Sequence, residues 1–348
     1  MLLFTPYGLV FSLIMAIPPL VYVVLALVGL ATARRAGAAP SPDAGQAALR
    51  LSSSALHPTC VAALNNLRAT DVLDADEVAS LATGALVHAW QAGALEVAPA
   101  WGQAASAAAA AGAATQAAGP ATLDFDATRL ALRHEPTDPV DAAAASYLMP
   151  PLPAAYTPFD IYRSVVRAGQ QHGRAARAFS AAVHEACVAQ GLAEEPTPLQ
   201  RLLSSRLELA IRIWAIVGII ATLLSGLIVF VAYMVSATAV LGIRQGLTPM
   251  GEAARADLAA VLARPEEAAR AVRTTGQLAW LVEAVTAAKG GAAWETVAAL
   301  CRAADPELAR GLGCWCAESA SSQFADVAPF AANLSSYFSS ARAEADRD

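Results

Sequence analysis

Two long stretches of the chain contain no charged residue. One covers residues 7–33 and the other residues 213–243, and each exceeds the roughly 20 residues that a helix needs to cross a bilayer. Secretory signals have a basic start and an apolar run of only about 7–15 residues, whereas no basic side chain precedes Arg34. The pattern predicts two retained transmembrane helices, at 7–33 and 207–243. Cleavage after Ala33 is the alternative for the first.

Aromatic and basic residues at the ends of these stretches predict how the chain is anchored. Trp214 and Tyr233 are separated by about 28 Å along a helix, which matches the spacing of aromatic belts across a bilayer. Near the ends of the two stretches, arginines are biased toward the intervening segment: three follow the first stretch and none precedes it, while three precede the second stretch and two follow it. This bias predicts that the intervening segment faces the inner side. The predicted membrane anchors are Trp214, Tyr233, Arg34, Arg35, Arg212 and Arg244.

Small residues recur on one face of the second predicted span. Gly218, Thr222 and Gly226 are four residues apart, and Ala221 and Ser225 flank them. Such a stripe allows close approach of another helix, so these five residues are the predicted packing interface. The alternative is coincidence, because alanine and glycine are frequent throughout the chain.

Helical periodicity outside the two stretches predicts helices on both faces. The expected fold class is therefore an all-α integral membrane protein with two transmembrane helices and helical extramembrane domains on each face. The expected divisions are an outer N-terminus at 1–6, the first span at 7–33, a linker at 34–56, an inner helical region at 57–134, a proline-rich connector at 135–158, inner amphipathic helices at 159–206, the second span at 207–243 and an outer helical domain at 244–348.

A row of arginines accompanies the apolar face of the inner amphipathic helices. Its members are Arg163, Arg167, Arg174 and Arg177. This basic stripe predicts either contact with lipid headgroups or an acidic partner, or the solvated face of a helix that packs on a core. The solvated face is the preferred interpretation.

The cysteines do not follow a metal-binding spacing. Cys301, Cys314 and Cys316 fall in the segment predicted to be outer, and no histidine is present there to complete a zinc site. If that side is oxidising, Cys301 is expected to form a disulfide with either Cys314 or Cys316. Buried free thiols are the preferred interpretation.

Composition and motifs exclude several function classes. A mean hydropathy of +0.46 is high for a globular protein, and a net charge of −6 argues against nucleic-acid binding. Common nucleotide-binding and hydrolase motifs do not occur in the sequence, and its five histidines show no metal-ligand spacing. The chain is therefore predicted to lack enzymatic activity, cofactors and metals.

One segment resembles a known family. The stretch "RIWAIVGIIATLLSGLIVF" is similar to the second span of the TolQ/ExbB/MotA proton-channel family. That family has a third span after the second, whereas "GEAARADLAAVLARPEEAARAV" is too charged to cross a membrane. The resemblance implies a divergent channel or motor stator component, and it assigns no ion-pathway residue.

These patterns lead to three functional predictions. The preferred one is a non-catalytic accessory or scaffold subunit of a larger membrane complex, whose partners are other membrane subunits and the lipid bilayer. The alternatives are a membrane-anchored regulatory or adaptor protein, which could be a homo-oligomer binding lipid or a soluble partner through the basic stripe, and the stator component. The expected location is an energy-transducing inner membrane, mitochondrial or bacterial, with a thylakoid as the alternative.

Overall fold

A computed structural model describes nine parts of the chain. They are residues 43–65, 67, 75–101, 122–149, 155–170, 174–195, 246–289, 293–321 and 324–345. Within them are twelve α-helices, one short 3-10 helix and two small β-sheets.

The helices divide equally between the two halves of the chain. The first six are α1 (Ala44–Ser52), α2 (Pro58–Ala63), α3 (Ala75–Gln91), α4 (Pro139–Leu148), α5 (Pro158–Gln170) and α6 (Arg174–Ala189). The last six are α7 (Pro249–Ala263), α8 (Pro265–Ala271), α9 (Thr275–Lys289), α10 (Trp294–Ala303), α11 (Pro306–Gly311) and α12 (Phe330–Ala345). The 3-10 helix, Gly313–Cys316, follows α11.

Four helices begin with the same local chemistry. In each, a side chain accepts a hydrogen bond from a backbone N–H of the first turn, and proline follows at the first helical position. Proline suits this position because its missing N–H would have no partner in the first turn anyway. The four pairs are His57-Pro58, Asp138-Pro139, Thr248-Pro249 and Asp305-Pro306.

One element differs from the sequence prediction because of this capping. The segment at 135–158, predicted to be an extended connector, contains α4, which begins where Asp138 caps the first turn. Farther along the chain, extended backbone at Val272 separates α8 from α9.

The two sheets correct the all-α prediction. Strands β1 (Leu95–Ala98) and β3 (Arg129–Leu132) form an antiparallel pair. The second sheet has the order β2-β4-β5, with the short strand β2 at Leu123–Asp124 parallel to β4 at Glu318–Ser321. Strand β5 (Phe324–Pro329) is antiparallel to β4. Because β2 comes from the first half of the chain and β4 from the second, this sheet joins the two halves.

One hydrophobic core contains residues from both halves. Helix α3 lies at its centre and packs against α9, α12, α4 and α2. Phe125 and Phe179 of the first half and Trp315, Phe330 and Phe338 of the second are among its fully buried side chains. The segments that the sequence analysis places on opposite membrane faces therefore form one folded unit, since a shared core requires both to be on the same side.

The described residues on either side of 196–245 lie next to each other. Ala193 forms an antiparallel bridge with Leu247, and the Glu194 N–H donates to the Gly246 carbonyl at 2.9 Å. A single membrane crossing between these residues would separate them by the thickness of the bilayer, about 30 Å. The described residues of the segments 159–206 and 244–348 therefore do not lie on opposite faces of a membrane, contrary to the prediction.

The predicted membrane architecture is corrected accordingly. Among the described residues, none of the helices combines the length and the apolarity that a membrane crossing demands. The predicted spans at 7–33 and 207–243 lie outside the described residues, together with all six predicted anchors and the five-residue packing interface. The described part of the chain is a mostly helical fold with two small sheets, so the all-α two-span architecture and the integral-membrane location inferred from it are not supported.

Candidate metal centre

Four helices bring ionisable side chains together inside the fold. His57 precedes α2, His88 lies in the last turn of α3, Asp141 in the first turn of α4, and Glu283 in the middle of α9. His57, Asp141 and Glu283 are almost completely buried, whereas the side chain of His88 is 30% exposed. We refer to these four residues as the polar cluster.

The capping role of His57 determines the direction of its ring. Its Nδ1 accepts the Thr59 backbone N–H at 3.2 Å, which satisfies a donor of the first turn of α2. The neutral ring therefore carries its proton on Nε2. That nitrogen lies 3.2 Å from Oδ1 of Asp141 and donates to it.

Asp141 connects the two histidines. Its Oδ2 is 2.7 Å from Nδ1 of His88, and the two imidazole rings have their centroids 4.2 Å apart. Asp138 caps α4, so the Asp141 carboxylate does not have to serve the helix terminus and can accept from both rings. Its position in the first turn also places a negative charge at the positive end of the helix dipole.

Glu283 is the least satisfied member of the polar cluster. Its Oε1 accepts from the Thr59 hydroxyl at 3.1 Å and lies 3.7 Å from Nδ1 of His57. Its Oε2 is buried and has no hydrogen-bond partner among the described residues. An unpaired buried carboxylate oxygen is costly, so this group either holds a proton or has a ligand.

The environment changes the pKa values of three members. Burial would lower the pKa of His88, but its hydrogen bond to Asp141 and the charges of Glu283, Asp141 and Asp138 raise it to about 9. Burial would raise the pKa of Asp141, but the hydrogen bonds from both histidines lower it. Burial raises the pKa of Glu283 to about 7, despite the opposing effect of His57 and His88. At neutral pH the cluster therefore contains an ion pair, His88 with Asp141.

Three members have the arrangement of a metal-binding group. One ligand atom each from His57, His88 and Asp141 can be chosen so that all three lie within 4.8 Å of one another. Ligand atoms around a tetrahedral zinc ion, at bond lengths of about 2.0–2.1 Å, are separated by about 3.3 Å. Two imidazole nitrogens and one carboxylate oxygen suit Zn²⁺ or Fe²⁺ better than Mg²⁺ or Ca²⁺, which prefer oxygen ligands alone.

The polar cluster is not predicted from the sequence. His57, His88 and Asp141 are far apart in the chain and share no motif, so the sequence predicts no metal site. A weak signal is present, however: His88 and Glu283 are ionisable residues within long buried stretches of α3 and α9. Such positions are rarely charged without a specific partner.

The residues that the sequence analysis does single out lie elsewhere. Cys301 is bonded to Cys316, while Cys314 is a buried free thiol. The sequence left this choice open, and the disulfide joins α10 to the 3-10 helix.

The basic stripe is divided between two helices rather than continuous along one. Arg163 is on α5 with its guanidinium over the exposed ring of Phe159, and Arg174 and Arg177 are exposed on α6. The side chain of Arg167 lies outside the description. Ile161 of α5 and Phe179 of α6 are fully buried and mark the core-facing sides of these helices. The exposed arginines therefore lie on solvated faces.

Comparison of the chain with protein-family models, with curated proteins and with solved structures finds no match.

Proposed function

We propose that the protein binds one divalent transition-metal ion through His57, His88 and Asp141. The observation that carries this proposal is the convergence of their three ligand atoms within 4.8 Å at a mostly buried position. The ion would take Nε2 of His57, Nδ1 of His88 and a carboxylate oxygen of Asp141 as ligands, in place of the two short contacts that the rings make to Asp141. His88 would lose one proton, and the proton of His57 would move from Nε2 to Nδ1, which lies 3.7 Å from Oε1 of Glu283 and would give up the hydrogen bond from the Thr59 N–H.

The charges around the site favour a cation. Asp141 is ionised, and the carboxyl groups of Glu283 and Asp138 lie 3.7 Å from His57 nitrogen atoms. When His88 loses its proton to bind the ion, the two positive charges of the ion replace the single charge of the protonated ring beside these carboxylates. Glu283 then becomes ionised more easily, and its buried carboxylate attracts the ion bound by its neighbour His57.

The site has an accessible edge. The side chains of His88 and Asp138 are 30% and 35% exposed, whereas those of His57 and Glu283 are covered. An ion can therefore enter past His88 and Asp138 without disruption of the core around His57 and Glu283.

The position of the site indicates a binding role. Its ligands come from α2, α3 and α4, and Glu283 of α9 supports them from the second half of the chain. An ion that binds only the folded state stabilises it, by about 2.7 kcal/mol at a free concentration of 100 times Kd. Metal binding would thus control how firmly α9 is held against the first half. The non-catalytic accessory or adaptor role stays a prediction, without its membrane setting.

Titration of the metal-free full chain tests the proposal. After removal of metal with a chelator, calorimetry with Zn²⁺ is expected to give one site per chain with a Kd of about 1 µM or tighter. Bound Co²⁺ should show the absorption bands of a four- or five-coordinate ion. Binding should release protons, because His88 is protonated in the metal-free state.

Variants separate this site from adventitious binding. His88→Gln and Asp141→Asn should each lower the Zn²⁺ affinity. The loss should exceed the roughly 10- to 100-fold loss that is typical when a residue that only contacts a metal ligand is replaced. His134→Gln is the matched control, because His134 is exposed and its ring is hydrogen-bonded to the backbone carbonyl of its neighbour Glu135. Absence of saturable binding in the wild-type chain, or equal affinity of the His88 and His134 variants, would show that the polar cluster is only a hydrogen-bonded network.

A further inference from the structure

A second pair of cysteines meets in the core. Cys60 of α2 and Cys187 of α6 are both fully buried, and the two helices pack against each other. Both are free thiols in the structure, and the Sγ atom of Cys187 lies 3.6 Å from the Cys60 carbonyl oxygen. The Cys187 thiol is therefore in direct contact with the residue that carries the other thiol.

The bond between Cys301 and Cys316 provides an independent observation. Structural disulfides form where the chain encounters an oxidant, and they are rare where cellular thiols are kept reduced. A chain that acquires one disulfide while folding exposes all its cysteines to the same conditions. Two thiols that the fold brings into contact are then the next to be oxidised.

We propose that Cys60 and Cys187 form a second disulfide, which links α2 to α6. Each thiol loses its hydrogen, and one S–S bond forms. The two electrons and two protons reduce a small-molecule disulfide, such as oxidised glutathione, to two thiols through a mixed-disulfide intermediate. The five cysteines of the chain then divide into two disulfides and one free thiol, Cys314.

Burial determines when this bond forms. The hydrogen bond with Cys187 and desolvation together raise the pKa of the Cys60 thiol well above its usual range. Since the thiolate is the reactive species, the folded and reduced protein resists oxidation. The bond therefore forms before α2 and α6 close over the two sulfurs. Burial also raises the pKa of Cys314 to about 12, so this thiol stays unreactive in the folded state.

The bond would fix the junction beside His57 without depending on the proposed metal. The side-chain oxygen of Gln190, which directly follows α6, accepts the His57 backbone N–H at 3.0 Å, so the end of α6 already contacts the residue that caps α2. The number of disulfides is measured independently of any metal, and failure of one proposal leaves the other intact.

Counting free thiols tests the proposal on the wild-type chain. The full chain is refolded with a mixture of reduced and oxidised glutathione, then denatured without reductant and treated with iodoacetamide. Intact mass should show one alkylated cysteine, and peptide mapping should join the peptides of Cys60 and Cys187. Three alkylated cysteines, or a map that joins Cys60 or Cys187 to Cys314, would overturn the proposal.

A matched variant and a timed reaction complete the test. The double variant Cys301→Ser with Cys316→Ser should still contain one disulfide and one alkylated cysteine, whereas no disulfide in this variant would contradict the pairing. Protein that is folded in the reduced state and then exposed to oxidised glutathione should oxidise at least tenfold more slowly than refolding protein. Equal rates would contradict formation before burial.

Discussion

The contact between α3 and α9 contains two neighbouring layers of opposite chemistry. In one layer, Gly84 lies so close to Ala287 that a Cβ atom on Gly84 would be 2.7 Å from the Ala287 Cβ. One turn away on each helix, His88 and Glu283 belong to the polar cluster. The apolar layer depends on volume, whereas the polar layer depends on charges and hydrogen bonds supplied by α2 and α4.

The difference shows that a single helix contact can be sensitive to two unrelated changes. Close packing at Gly84 responds to an added methyl group but not to pH, because it contains no titratable side chain. The polar cluster responds to pH and to loss of a charge, because an unpaired ion in the core is costly. Variants of the metal-free protein can therefore test whether the two layers are energetically independent.

Asp141→Asn is expected to have the largest effect. It removes the carboxylate that accepts from both His57 and His88, and leaves the charged His88 without its main partner. Breaking a buried ion pair from one side costs about 3–5 kcal/mol, so the free energy of unfolding in urea should fall by that amount at pH 7. Glu295→Gln, at an exposed carboxylate, should stay within about 0.5 kcal/mol of wild type. A loss below about 1 kcal/mol for Asp141→Asn would mean that the polar cluster stabilises little.

Raising the pH should lower the free energy of unfolding by a somewhat smaller amount than Asp141→Asn does. His88 has its pKa raised from 6.5 to about 9, so its stabilising contribution is complete below pH 6.5 and is lost as the pH rises through 9. Glu283 has its pKa raised from 4.5 to about 7, and its contribution is lost as the pH rises through 7. The free energy of unfolding should therefore fall by on the order of 2–3 kcal/mol between pH 6 and 9.

Glu283→Gln sharpens this pH experiment. It removes the titration near pH 7 and should flatten the lower part of the curve, while the decline toward pH 9 remains. Parallel curves for Glu283→Gln and wild type would contradict the assignment of this titration to Glu283.

Gly84→Ala is expected to have the smallest effect of the three. The added methyl group meets Ala287 at 2.7 Å and the Glu283 carbonyl at 3.1 Å, so α3 and α9 have to separate slightly. Overpacking costs about 1–3 kcal/mol, from which a gain of up to about 1 kcal/mol in helix propensity is subtracted. Thermal unfolding at fixed pH should show a net loss of about 1–2 kcal/mol.

The helix α9 offers a matched control for this substitution. Gly276 is exposed, and a Cβ atom there would meet nothing within 4 Å, so Gly276→Ala should be neutral or slightly stabilising. If the layers are independent, Gly84→Ala should also leave the slope of stability against pH unchanged. A changed slope would show that the position of Glu283 depends on the packing at Gly84.

Local structure could be predicted where local chemistry determines it. The Thr248-Pro249 and Asp305-Pro306 pairs indicate helix starts, and α7 and α11 begin at these prolines. The apolar spacing of Ile161 and Val165 indicates a buried helix face, and both residues are fully buried. In such cases the determining contacts lie within one turn of the same helix.

The candidate site could not be predicted in the same way. Asp138-Pro139 has the same capping pattern, but the surrounding prolines indicate an extended connector and conceal α4, which carries Asp141. His88 and Glu283 are unusual within their apolar helices, yet nothing in the sequence indicates that they belong to the same cluster. Each depends on a hydrogen-bond partner more than 50 positions away, Asp141 for His88 and Thr59 for Glu283.

The sequence by itself determined the helical periodicities, the capped helix starts and the two cysteines, Cys314 and Cys316, with which Cys301 could form a disulfide. The tertiary structure decided that the two halves share one core, that β2 pairs with β4, that Cys301 bonds to Cys316, and that two histidines meet Asp141. The physical reason is the distance along the sequence over which each interaction acts. Capping and periodicity act within a few residues, whereas a shared core and a buried charge cluster depend on which distant surfaces exclude water together.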